Sequence, residues 1–182
     1  MSIRESVWAQ IEDGRREDRY THLDELFEEL AAKHHPDELV FLCIGTDRSS
    51  GDAFGPLVGS RLKAAGFRQV WGTMDEPCDA TNLERVLLEL PGGLPIVAFD
   101  ACLGKPGSVA KFLLRRAPLI PAASMKGTFA PIGDYSVAAV VNEHGPKPYQ
   151  ALQTASLRLV LQMAEEVGEA AVRIWKKNGR EQ

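Results

Sequence analysis

The chain has 182 residues, a net charge of −4 and an apolar fraction of 45%. That is one domain of ordinary size with apolar content for a substantial core, and its balanced charge argues against extended disorder. The acidic balance leaves no general basic field for nucleic acid, and no apolar run reaches the roughly 18 residues that a bilayer span needs.

Residues 1–19 are polar and carry the charged run Glu12–Asp18. They read as a loosely docked N-terminal arm before a single domain over 20–182. Arg4, Glu5, Glu12 and Asp13 stand where a secretory signal has its apolar region, which points to the cytoplasm. Cys43, Cys78 and Cys102 are an odd number at wide spacing, as expected of free thiols.

Leu23, Leu26, Phe27, Leu30 and Ala31 recur at helical spacing, so Tyr20 to His34 is predicted as an amphipathic helix. Thr21 or Asp24 would cap it, and His34-His35-Pro36 would end it. Leu39 to Ile44 is a continuous apolar run before Gly45, the pattern of a strand covered on both faces. A helix is predicted from Phe54 to Ala65, with Pro56 in its first turn and Gly66 closing it. Val70–Met74 reads as a short strand, Thr81–Leu90 as a helix capped by Thr81, and Ile96–Phe99 as a buried strand. Ser108–Leu114, Gly127–Pro131 and Tyr135–Val141 read as extended, with a connection over 117–125. Ala151–Lys177 reads as one long helix with Leu152, Ala155, Leu159, Met163, Val167 and Ile174 near one face. This alternation predicts a three-layer α/β/α sandwich of hydrolase- or phosphorylase-like kind. Its central sheet would be mixed but mostly parallel, with an antiparallel pair at one edge.

Two aspartates stand out, because each follows a buried strand and precedes a glycine-bearing loop. Asp52 lies in the loop after Leu39–Ile44, and Asp100 directly follows Ile96–Phe99. In an open α/β sheet such strand ends are where ligands bind. A carboxylate pair there could do acid–base work or hold part of a metal site. The plainer reading of Asp47 or Asp52 is a cap for the next helix; that of Asp100 is a structural hydrogen bond to its own loop. Asp47, Arg48 and Ser49 in the first loop are candidates for holding a substrate, Arg48 by pairing with a carboxylate. Asp134, before the 135–141 strand, is a further acidic candidate, and its plainer role is in a turn. Asp75, Glu76 and Asp79 could line the same edge. Cys102 near Asp100 invites a thiol nucleophile, yet His144 is the sole histidine in a plausible loop to serve as its base.

These same stretches resemble a known family. Cys43–Gly59 resembles the signature of the YyaC-type sporulation proteins, and Gly72–Glu84, Phe99–Gly104 and Pro131–Asn142 continue the match in order. That family is in turn similar to the spore germination protease, which degrades small acid-soluble spore proteins. Asp52 in Asp52-Ala53-Phe54-Gly55-Pro56 and Asp100 in Asp100-Ala101-Cys102-Leu103 match its proposed catalytic aspartates. The resemblance implies a peptidase whose two carboxyls share a proton about 4–6 Å apart. It implies a protein or peptide substrate such as small spore proteins, a forespore or spore location, and no cofactor. Hydrogenase maturation endopeptidases are more distant relatives of the same fold. They use acidic residues at these positions, plus a histidine, to contact nickel. By that likeness a divalent metal held by Asp52, Asp100 and His144 is the alternative, although no histidine here aligns with that ligand. A non-catalytic sporulation factor that binds a peptide or protein partner is the other alternative.

Overall fold

The computed structural model describes residues 19–121 and 130–179. The apolar run after Leu39 forms β2 (Val40–Cys43), and every residue in it is buried. It sits second of six strands from one edge of the sheet, whose order is β1-β5-β6-β4-β2-β3. The other strands are β1 (Arg19–Tyr20), β3 (Val70–Trp71), β4 (Ile96–Gly104), β5 (Phe112–Arg115) and β6 (Tyr135–Glu143). β3, β2, β4 and β6 run parallel. β5 runs antiparallel to β6, and β1 antiparallel to β5. The mixed sheet with an antiparallel edge is thus the one predicted.

Helices α1 (Leu23–Lys33), α2 (Phe54–Ala64) and α5 (Leu157–Lys177) cover one face. Their core includes Leu26, Phe27, Val58, Leu62, Val167 and Trp175, packed on Phe41, Phe99 and Val137 of the sheet. The Trp175 ring meets Phe27, Phe41 and Phe67 edge-on, with centroids 5.8, 6.0 and 5.6 Å away. Such edge contacts suit the ring quadrupole, so the end of α5 is keyed to the sheet by an aromatic cluster. The other face carries α3 (Leu83–Glu89), whose Leu83 and Val86 pack with Leu42, Ile44 and Ala98.

Several elements differ from expectation for physical reasons. Tyr20 belongs to β1, and His22 stands at the N-cap of α1 without a side-chain bond, so neither Thr21 nor Asp24 caps it. The first turn is closed differently: Thr21 N donates to Glu25 Oε2 at 2.8 Å. Asn82 stands at the N-cap of α3 while Thr81 is drawn to Asp79. The long C-terminal helix is broken into α4 (Pro148–Gln153) and α5, because the Ser156 side chain caps α5 by accepting from Leu159 N. β4 runs five residues past Phe99, since β6 goes on pairing with it to Gly104. The predicted arm before Arg19 and the predicted strand at 127–129 lie outside the described residues.

Candidate functional site

The ends of β2 and β4 build the site. Register between them closes at Cys43 and Phe99, and Ile44 N adds one bond to Phe99 O at 2.8 Å. Asp100 is therefore the first residue of β4 to run past β2. It lies inside a strand rather than after one, which corrects the expectation, but it stands at the C-terminal edge of the β2–β4 pair. Strand alternation puts its side chain on the face of Ala98 and Cys102. The residue is 5% exposed, and its Oδ1 accepts from Ala101 N at 2.8 Å.

The loop after β2 is pinned on three sides. Gly45 N donates to Cys78 O (2.8 Å), Thr46 N to Asp52 O (3.1 Å), and Gly51 N to Leu152 O of α4 (2.9 Å). Gly45 is required here, for a Cβ at this position would lie 2.0 Å from Asp52 O, and its φ is +148°. The bare glycine lets the chain fold back until Asp52 sits against the end of β2. Asp52 thus lies in the loop beyond the C-terminal end of β2.

Ala53 is the N-cap of α2, with helical φ and ψ and no side-chain bond. The Asp52 carboxyl is half-buried, and burial pushes its pKa up, with the neighbouring Ser49 hydroxyl pulling the other way. The expected cause was a second carboxylate sharing its proton; the cause found is desolvation, which disfavours the charged form by itself.

The remaining candidates divide. Ser49 is buried at this loop, and Asp47 and Arg48 are exposed on it. Arg48 already has a partner: its Nη2 lies 2.6 Å from Asp79 Oδ2, and its Nε donates to Thr46 Oγ1 at 3.2 Å. Asp79 is held from its other oxygen by Thr81 N (2.8 Å) and Thr81 Oγ1 (2.6 Å). Burial works to raise the Asp79 pKa, but these bonds and the Arg48 charge hold it below its usual value. The ion pair joins the loop after β2 to the loop after β3. Sequence reasoning placed Asp79 at this edge but missed the clasp, whose only signal was two opposite charges in facing loops.

Asp134 is a correction. It precedes β6, so it lies at the N-terminal edge of the parallel strands, opposite Asp52 and Asp100. Its Oδ2 accepts from Ile96 N at 2.8 Å and ties the start of β4 to the start of β6. His144 is a second correction. Its N donates to Gly104 O (2.7 Å), four residues and about 13 Å along β4 from Asp100 at strand rise. Among the described residues no three His, Cys, Asp or Glu side chains gather to hold a metal ion. Asp52, Asp100 and His144 are thus not gathered into one such group.

The thiols are unsuited to nucleophilic work, which needs the thiolate. Burial, then the Asp79 and Asp100 charges, push Cys78 up to about 12. Burial and Asp100 push Cys102 higher, and burial pushes Cys43 well above its usual value.

A family model described as "Protein of unknown function (DUF1256)" matches residues 14–170. The chain belongs to the DUF1256 family. The uncharacterized protein YyaC of Bacillus subtilis (strain 168) is 38% identical to this DUF1256 chain over 136 residues, covering 72% of this chain and 66% of that protein. The match thus spans just under two thirds of the relative's length, and it supports the YyaC-type resemblance of the sequence motifs. The [NiFe] hydrogenase maturation protease HycI from Thermococcus kodakarensis KOD1 superposes with a TM-score of 0.56 at 19% identity, covering 83% of this chain and 99% of that one. At that identity the likeness establishes a shared fold. No helix among the described residues is long and apolar enough to cross a membrane.

Proposed function

We propose that this DUF1256 chain is a peptidase that hydrolyses peptide bonds with Asp52 and Asp100. One observation carries the reading: a half-buried Asp52 carboxyl, its pKa raised by burial, lies in the loop beyond β2, and buried Asp100 runs past β2 at the same C-terminal edge. A catalytic acid must hold its proton near neutral pH, and burial is how a fold achieves that. Asp52 then donates its proton to the scissile carbonyl oxygen or the leaving amine. The Asp100 carboxylate, an acceptor already toward Ala101 N, takes a proton from the attacking water. The fold shared with a protease and the matched aspartates of the germination protease support this assignment. The substrate is a protein or peptide, and small spore proteins in the forespore or spore are the first class to test.

The experiment is digestion of a proteome-derived peptide library in ¹⁸O-labelled water, read by mass spectrometry. Hydrolysis puts ¹⁸O into each new carboxyl terminus. Labelled termini with the wild type and none with Asp52→Asn support the reading; the same termini from both proteins would exclude it.

A further inference from the structure

Ser49 is 8% exposed, and its hydroxyl is buried without a hydrogen-bond partner of normal geometry among the described residues. A buried hydroxyl left unsatisfied is costly, so each such group calls for an explanation. The local backbone supplies one. Ala53 N donates to Ser49 O at 3.0 Å, which winds residues 49–53 into a single helical turn ahead of α2. Residues three apart on such a turn lie on one side, so Ser49 and Asp52 are neighbours. The hydroxyl is close enough to oppose the rise in the Asp52 pKa, yet it forms no bond of good geometry with that carboxyl. Ser49 thus stands beside a candidate acid at the sheet edge with a donor to spare.

We propose that Ser49 Oγ and the Asp52 carboxyl form a two-donor subsite for one oxygen atom from outside the chain: water at rest, and the scissile carbonyl oxygen in turnover. This rests on the peptidase reading and adds a second donor to it. As the attacking water adds to the carbonyl carbon, the C=O bond gives its electron pair to oxygen, and Ser49 and protonated Asp52 both face the charge that develops. Donors fixed in a partly dry site stabilise such charge without reorganising. Ser49 has the added merit that it need not lose its proton.

The test uses Ser49→Ala and Ser49→Thr in the full chain. In a high-resolution crystal structure, a solvent oxygen should lie within hydrogen-bond distance of both Ser49 Oγ and Asp52 in the wild type, and be missing from Ser49→Ala. A Ser49 hydroxyl bonded wholly within the protein, with no solvent oxygen, overturns the subsite. In cleavage assays, Ser49→Ala should lower kcat by about 10²–10³-fold with little change in KM, as when an oxyanion donor is removed. Ser49→Thr, which keeps a hydroxyl, should restore most of it. Wild-type kcat in Ser49→Ala, alongside loss of cleavage in Asp52→Asn, overturns the Ser49 role and leaves the peptidase reading standing. If the wild type cleaves nothing, the peptidase reading fails, and the solvent oxygen alone decides the subsite.

Discussion

Replacing Asp52 by Asn should stabilise the protein at neutral pH and leave its stability nearly unchanged below about pH 4. In the unfolded chain Asp52 ionises near the ordinary carboxylate value, about 3.9. In the folded chain burial raises that value. Between the two, the folded state keeps a proton that the unfolded state has released. Stability therefore falls as pH rises through this window, and the loss is complete above the folded value. Asn cannot ionise, so the variant escapes the loss, and the Ser49 hydroxyl beside it can accept from its amide. Each tenfold weakening of ionisation corresponds to about 1.4 kcal/mol. In a chain of 182 residues, 1 kcal/mol moves the unfolding midpoint by roughly 2–4 °C. The Asn variant should therefore unfold at a higher midpoint than wild type at pH 8, with a gap that widens as pH rises from 4. The assay is thermal unfolding of both proteins at half-unit steps from pH 4 to 8. A difference that does not grow with pH, or an Asn variant less stable at pH 8, would refute the reasoning.

Asp134→Ala should cost about 1–2 kcal/mol in denaturant unfolding, because it removes the carboxylate that holds Ile96 N, with peptide cleavage unaffected and Asp134→Asn close to wild type. Glu29 accepts from Tyr20 (2.7 Å) and Lys33 (2.7 Å) and pairs with Arg116, and these partners outweigh burial to bring its pKa down to about 2. Its contribution should be full above about pH 4.5 and fade as pH falls toward 2; Glu29→Gln should be less stable at pH 7 and lack that acid-side slope in a pH series of unfolding curves. Gly72→Ala should lose more than about 2 kcal/mol, or fail to accumulate as folded protein, since Gly72 has φ +85° and a Cβ there would lie 1.9 Å from Cys43 O. Micromolar Ni²⁺, Zn²⁺ or Mg²⁺ should leave the unfolding midpoint in place, where a bound metal at 100 times its Kd would add about 2.7 kcal/mol.

The parallel core of the sheet was legible because β2 is buried on both faces, so its sequence is apolar throughout and ends at a glycine. α1 and α2 were legible from their apolar spacing. The break between α4 and α5 was not. Leu152, Ala155 and Leu159 keep helical spacing across it, and the Leu152 carbonyl is taken up by Gly51 from a loop a hundred residues earlier. The extent of β4 was hidden for a like reason: Ala101-Cys102-Leu103-Gly104 stays a strand only because β6 reaches farther than β2. Asp52 could be placed at the C-terminal edge because it follows a parallel strand, whereas Asp100 lies inside β4 and stands at that edge only because β4 outruns β2. Asp134 carried the opposite signal, since a residue that precedes a parallel strand belongs to the other edge. The Arg48–Asp79 clasp and the buried Ser49 hydroxyl depend on loop geometry, which no local pattern encodes.

The most direct test of the aspartate pair is the cleavage rate of purified small acid-soluble spore proteins by wild type, Asp52→Asn and Asp100→Asn, each first shown to be folded by its unfolding curve. General acid–base groups contribute about 10²–10⁴-fold, so each variant should fall by at least about 100-fold while wild type yields defined fragments. Cleavage by either variant at the wild-type rate would contradict the account.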